Sequence, residues 1–267
     1  MNKWKGKVAV VTGASGGIGA AITERLACEG LRVVLVARHE EQLQDLATRI
    51  RASGGEALVI VADLTNENDR QRILEQVRAA YGAVDVLVNN AGFGWYGFGD
   101  EMPWSLAWQM LQVNVAAVVQ LTLLFLADMK ARNGGHIVNI GSISGNLPSQ
   151  GIALYGATKS FLDGFTTALY RELGGSNVHI SLVRAGAVAT GFFKKASDPA
   201  AGRRMPAERF GIRPERVANR IWKLLKRPAR VVHVPWMLWI VPWVELCFGW
   251  LIDRLGPLLL KRQRQAS

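Results

Sequence analysis

The chain has 267 residues, 49% of them hydrophobic, enough for a single large α/β domain with a sizeable core. Two distant cysteines, Cys28 and Cys247, exclude a disulfide scaffold and predict reduced, buried or half-buried thiols; four scattered histidines (His39, His136, His179, His233) form no ligand cluster, so no metal site is expected. The net charge of +11 is local, because residues 1–193 carry 16 Lys/Arg and 16 Asp/Glu whereas residues 194–267 carry 16 and 5.

The N-terminus, Met1-Asn2-Lys3-Trp4-Lys5-Gly6-Lys7, lacks the apolar stretch and cleavage site of a signal peptide, and a cytoplasmic location is expected. Residues 7–12 read as a strand that ends in the turn Thr12-Gly13-Ala14-Ser15-Gly16-Gly17-Ile18-Gly19. Helical spacing follows over 18–29. Glycines in such a turn let the backbone approach a pyrophosphate, and the helix N-terminus adds free N–H groups and a favourable dipole. Gly13, Ser15, Gly16, Gly17, Ile18 and Gly19 are therefore candidate cofactor contacts.

A Val-rich second strand over 32–37 ends Ala37-Arg38-His39. An NAD-binding chain usually places a carboxylate here for the ribose 2′-hydroxyl. Arg38 instead suits a 2′-phosphate through bidentate, charge-assisted bonds, with Ser15 as a second candidate contact. The expected cofactor is NADP(H). A helix with a charged face over 40–53, a strand over 57–62 followed by Asp63, a helix over 67–81 and a strand over 84–89 come next. The last of these ends Asn89-Asn90-Ala91-Gly92, with Phe93, Trp95, Tyr96 and Phe98 close behind.

Residues 104–132 predict one long helix, apolar on most sides between 113 and 126; Asn114 inside it fits a polar role better than a core one. A fifth strand over 136–142 ends at Ser142. The helix over 154–174 carries Tyr155 and Lys159, which share a face at i and i+4. A free tyrosine titrates near pH 10, too high for a base near neutrality, and a neighbouring ammonium lowers that value. Tyr155 could then donate a proton to a carbonyl oxygen or accept one in reverse, while Ser142 hydrogen-bonds the same oxygen. A sixth strand over 179–184, an irregular stretch over 191–212, a helix over 214–226 and a seventh strand over 230–234 complete the series.

Strands that read as continuous apolar runs belong to a parallel sheet covered on both faces. Strict strand–helix alternation makes the fold class α/β: a Rossmann-like doubly wound parallel sheet of seven strands with helices on both faces, plus a C-terminal helical extension. The expected organisation is a catalytic domain over 1–235, with a substrate loop at about 190–213, and a hydrophobic, Trp-rich, basic extension over 236–267.

Thr12–Gly19, Asn89–Gly92, Asn114, Ser142, Tyr155 and Lys159 resemble, in order and spacing, the motifs of the short-chain dehydrogenase/reductase family, and the likeness covers about residues 5–235. The resemblance implies hydride transfer between NADP(H) and a carbonyl or alcohol carbon, with Asn114, Ser142, Tyr155 and Lys159 as the catalytic set. It implies that Asn114 holds a water on the proton path and that Lys159 reaches the nicotinamide ribose. It also implies adenine contact from Asp63 with Leu64 beside it. Asn90, Ala91 and Gly92 would line the cofactor groove, and Gly186 and Val188 would lie near the nicotinamide amide. One departure stands out: Ala185-Gly186 replaces the usual Pro-Gly, which adds a backbone donor.

The aromatics after Gly92, together with Phe192 and Phe193, suggest an apolar substrate such as a lipid, steroid or long-chain ketone; ordinary loop packing is the competing explanation. Trp236, Trp239, Trp243 and Trp250 fall on one helical face, with Pro242 expected to kink the helix. Three readings stay open for 236–264, in this order: membrane-surface contact, a lid or dimer arm, and a spanning helix. Tryptophans clustered with aliphatics suit lipid better than nucleic acid. The expected partners are the small apolar substrate, other copies of the chain as a homodimer or homotetramer, and a cytoplasmic membrane face. An NADP-linked alcohol dehydrogenase of a small substrate and a membrane-associated, non-catalytic NADPH-binding protein are the alternatives.

Overall fold

The computed structural model describes residues 3–188 and 211–255. The strands are β1 (Val8–Thr12), β2 (Arg32–Ala37), β3 (Glu56–Val61), β4 (Val86–Asn89), β5 (Gly135–Ser142), β6 (Val178–Ala185) and β7 (Val231–Val234). They form one sheet in the order β3-β2-β1-β4-β5-β6-β7, and every neighbouring pair is parallel. The helices are α1 (Gly17–Cys28), α2 (Glu40–Ala52), α3 (Glu67–Tyr81), α4 (Trp104–Leu111), α5 (Ala117–Ala131), α6 (Ala153–Glu172), α7 (Pro214–Lys226) and α8 (Val241–Leu255). The doubly wound α/β architecture expected from the alternation is the one observed.

Alternation along each strand divides the core in two. Ala9 and Val11 of β1 pack with Ile22 and Leu26 of α1, Leu43 and Leu46 of α2, and Ile221 and Leu225 of α7. Val8 and Val10 face the other way, against Ile73 of α3, Leu121 and Phe125 of α5, and Leu169 of α6. With both faces covered, the strands need apolar side chains at nearly every position, which is why their sequences do not alternate. The chain runs outward from β1 to β3, then returns to lay β4 on the far side of β1. Such a switch in strand order opens a crevice at the carboxyl ends of the strands.

Three expectations are corrected. The single helix over 104–132 is interrupted by a π-helical turn, Gln112–Ala116, between α4 and α5. Within that turn the buried Asn114 side chain is held by partners outside the helix, at Phe93 and Thr158. Pro242 does not kink a helix. A 3-10 segment, Trp236–Ile240, comes first, and α8 then starts with Pro242 in its first turn, where a missing N–H costs nothing. Cys28 and Cys247 are exposed rather than buried. Cys28 ends α1 on its outer side, and α8 has no buried residue at all.

Candidate active site

The switch point is built by the turns after β1 and β4. Gly13 and Gly17 take φ of +66° and +55°, a region that favours glycine. A Cβ on Gly13 would stand 2.9 Å from the Ala91 Cα, so the two turns touch through backbone. Thr12 and Asn90 lock them together. The Asn90 and Ala91 N–H groups both donate to Thr12 Oγ1 at 3.0 Å, and Asn90 Nδ2 donates to the Thr12 carbonyl at 2.9 Å. Asn89 faces inward instead: its Nδ2 donates to Thr122 Oγ1 at 3.0 Å and Asn139 Oδ1 at 2.9 Å. That buried pairing ties β4 to β5 and to α5 and fixes the spacing of the crevice floor.

A cleft of about 700 Å³ runs along the carboxyl ends of the strands. Its walls bring together Gly13, Ser15, Gly16, Gly17, Ile18, Arg38, Asp63, Leu64, Asn90, Ala91, Gly92, Ser142, Tyr155, Lys159, Gly186 and Val188. Two candidates lie outside it. Gly19 sits behind the turn, where a Cβ would strike the Gly13 carbonyl oxygen and come within 2.6 Å of Asn90 Nδ2. Its place is to let α1 close against the loop rather than to touch a ligand. Asn114 is the other. Its Oδ1 accepts from the Phe93 N–H at 3.1 Å, and its Nδ2 donates to the Phe93 carbonyl at 2.9 Å and to Thr158 Oγ1 at 3.1 Å.

At one end of the cleft Arg38 is exposed beside Ser15 and, among the described residues, has no ion-pair partner. Asp63 Oδ1 accepts from the Thr65 N–H and hydroxyl, both at 2.9 Å, so this carboxylate also shapes the local turn. At the other end, Ala185 pairs with Ser142 of β5 and Val234 of β7, continuing the ladder where a proline would lack the N–H.

Near the middle, the Tyr155 hydroxyl hydrogen-bonds Ser142. Lys159 Nζ stands 5.7 Å from the Tyr155 ring centre and donates to the Ile140 carbonyl at 2.9 Å. Burial pushes the phenol up to about 12, against the downward pull of the Ser142 bond. Burial also brings the Lys159 ammonium down to about 8. The sequence argument expected Lys159 to lower the Tyr155 pKa. Loss of hydration outweighs that here, because the ammonium is bonded to a main-chain carbonyl instead of the phenol oxygen. The helix carrying both groups is fixed one turn further on, where Arg184 Nε and Nη2 grip Asp163 Oδ1 at 2.7 and 2.6 Å.

This assembly can bind a dinucleotide and move a proton beside it. The sequence model of the short chain dehydrogenase family matches residues 7–201. This chain belongs to the short-chain dehydrogenase/reductase family. It is 34% identical to human "Dehydrogenase/reductase SDR family member 11" over 244 residues, 86% of this chain and 93% of that one. A metagenomic short-chain oxidoreductase solved with NADP is 36% identical, with a TM-score of 0.73 and coverage of 86% and 96%. A short chain dehydrogenase/reductase from Burkholderia phymatum, solved with NAD, is 26% identical, with a TM-score of 0.80 and full coverage of both chains.

The dehydrogenase has a second cavity, of about 300 Å³, which Tyr155 also lines, walled by Trp95, Met102, Trp104, Met110 and Leu154 among others. Phe93 lines the main cleft, Tyr96 packs against the Trp95 cluster, and Phe98 lines neither space. Phe192, Phe193 and residues 190–210 of the expected substrate loop lie outside the described residues. Sequence reasoning missed the cleft residues Leu106, Gln109 and Val113. Their i, i+3, i+7 spacing was a usable signal, hidden in a helix that is apolar on most sides.

Proposed function

We propose that this short-chain dehydrogenase is an NADP(H)-dependent enzyme that reduces a ketone or aldehyde of an apolar, lipid-like or steroid-like substrate to the alcohol, or runs the reverse. The observation that carries the reading is the position of Tyr155, which lines both the main cleft and the apolar cavity. A substrate carbonyl at Tyr155 can thus have an apolar body on one side and a dinucleotide on the other.

The residues present fit the cofactor. Gly16 has open space where a Cβ would stand, Gly13 and Gly17 keep the backbone low, and α1 presents its N-terminus to the cleft. Ser15 and Ile18 join these glycines on the pyrophosphate side. Arg38, with no carboxylate beside it in the sequence, suits a 2′-phosphate. Asp63 and Leu64 would border the adenine, Asn90, Ala91 and Gly92 the groove, and Lys159, Gly186 and Val188 the nicotinamide end. When bound, NADPH supplies the hydride.

The chain's own residues handle the proton. With its pKa pushed up to about 12, Tyr155 holds its proton at neutral pH and can give it from Oη to the substrate oxygen. Ser142, already bonded to that hydroxyl, can hold the same oxygen as charge develops. Lys159 supplies positive charge behind the phenol. Asn114 acts through position: it holds Phe93 on the cleft wall, and Thr158, its other partner, donates to the Tyr155 carbonyl at 2.7 Å.

Two associations belong to the same reading. Exposed Trp104, Trp108, Leu123 and Phe161 on α4, α5 and α6 offer a face for a second copy, as homodimer or homotetramer. The second is contact of the C-terminal extension, through the exposed Trp236, Trp239, Trp243 and Trp250, with a cytoplasmic membrane surface. The catalytic reading is tested with Tyr155→Phe, expected to lower turnover by about 100-fold or more with NADPH binding kept, and with a series of ketones. Faster turnover of short polar ketones than of long apolar ones would overturn the substrate class.

A further inference from the structure

The described segment after β7, Trp236–Leu255, adds nothing to either core. Among Trp236–Leu255 no residue is buried. Trp236, Trp239, Trp243, Leu246, Phe248 and Trp250 are between 52% and 76% exposed. Scattered apolar side chains are ordinary on a soluble surface, but a contiguous stretch of this kind marks an interaction site.

Its place in the fold is specific. The 3-10 turn leaves the carboxyl end of β7, where the Gly186 N–H donates to the Val234 carbonyl at 2.9 Å. The Leu238 side chain lies 2.9 Å from where a Gly186 Cβ would be. Gly186 is also a wall residue of the main cleft. The aromatic segment therefore begins at the cleft rim.

Charge chooses among the occupants. The last quarter of the chain carries the whole net charge of +11. Within it, Arg213, Arg216 and Arg220 are exposed on and just before α7. That helix starts at the same end of the sheet, two residues after Ile212, which bridges Val188 at the cleft. Two copies pressing this basic quarter together would repel. A bilayer with anionic headgroups attracts it, and tryptophan favours the headgroup zone. A spanning helix fits less well, because Glu245, Asp253 and Arg254 all lie within α8 and the regular helix begins only at Val241.

We propose that Trp236–Leu255 docks this short-chain dehydrogenase on an anionic lipid surface and holds the cleft mouth against the bilayer. That docking brings a lipid-dissolved carbonyl compound to Tyr155 rests on the function proposed above; the docking itself does not.

The test is co-sedimentation of the full chain with vesicles of phosphatidylcholine, with and without phosphatidylglycerol, at low and high salt. The expected result is binding to the anionic vesicles at low salt, weakened by added salt, with tryptophan emission quenched by lipids brominated near the headgroup. The variant W239E/W243E/W250E should lose vesicle binding by about tenfold or more, while its NADPH titration, which reports that it is folded, is unchanged. Tyr155→Phe should bind vesicles as the parent chain does, so docking and catalysis can fail separately. Protein left in the supernatant with anionic vesicles at low salt overturns the proposal. So does equal vesicle binding by the triple variant, or membrane retention through alkaline carbonate, the mark of a spanning helix. Dimers that dissociate in the triple variant, with neither protein binding vesicles, would assign the segment to a second copy instead.

Discussion

Lys159 Nζ lies 5.7 Å from the centre of the Tyr155 ring, yet its hydrogen bond goes to the Ile140 carbonyl at 2.9 Å. The ammonium is thus stationed behind the phenol and anchored to β5. Burial lowers its pKa from 10.5 to about 8. The unfolded chain keeps this proton between about pH 8 and 10.5 while the folded chain releases it, so the contribution of Lys159 to stability rises with pH across that window. Below about pH 8 the whole cost of burying the charge is present.

Lys159→Met should therefore lower turnover by about 100-fold or more and raise the melting temperature at pH 7. The thermal gain should shrink by pH 10, where the parent lysine is largely neutral in the folded chain. Thermal melts at the two pH values, run beside initial rates, check this. A lower melting temperature at pH 7 would mean that the bond to Ile140 outweighs the buried charge.

Arg38→Asp should reverse the cofactor preference. The new carboxylate would repel a 2′-phosphate and accept from a ribose 2′-hydroxyl. Because Arg38 is exposed and unpaired among the described residues, stability should change by less than about 0.5 kcal/mol. Nicotinamide fluorescence titration with NADPH and NADH should show NADPH binding weakened by about tenfold or more, given the strength of charge-assisted bonds. Parent protein that binds NADH as tightly as NADPH would make Arg38 a plain surface residue.

Gly19→Ala places a methyl against the Gly13 carbonyl and Asn90 Nδ2. Backbone lies on one side of that contact, so α1 or the turn must shift, at a cost of about 1–3 kcal/mol. Denaturant melts should show the loss, and cofactor affinity should fall with it, although Gly19 does not line the cleft. Gly16→Ala, which meets open space, should leave stability nearly unchanged and so separates the two effects.

His136 is a fully buried residue of β5. Ser181 donates to the Ala229 carbonyl at 2.6 Å, so its oxygen accepts from His136 Nε2 at 2.8 Å. Nδ1 has no partner. Burial, then His179 and Lys3, holds the imidazole down to about 3. The unfolded chain takes up this proton below about pH 6.5 and the folded chain does not, so stability is lost as pH falls from 6.5 toward 3. In His136→Gln that acid limb should flatten, as read from urea melts at pH 7 and pH 5. An unchanged slope would assign the acid sensitivity to other groups.

The sheet was legible because its central strands are buried on both faces, so Val8–Thr12 and, after Arg32, Val33–Ala37 stand out as nearly continuous apolar runs. The cleft residues were legible where chemistry is tied to a turn, as at Gly13–Ile18 and Asn90–Gly92. The π turn was not, because Asn114 signalled a polar role but not a change of helical pitch; its partners, distant in sequence at Phe93 and Thr158, are visible only in the folded chain. The altered balance at Tyr155 was equally hidden. Spacing places Lys159 on the same face, but only the folded chain shows that its proton goes to Ile140.

The π turn also sets an angular phase. Each residue advances a regular helix by about 100°, so the surplus residue in Gln112–Ala116 rotates everything after it by that amount. Ahead of it, Leu106 and Gln109 look into the cleft; beyond it, Leu121, Phe125 and Met129 look into the sheet. Deleting the surplus residue would swing the second group off the sheet or the first off the cleft. Cleft wall and core are thus two bearings of one rod, and this stretch cannot change length without misaligning one of them.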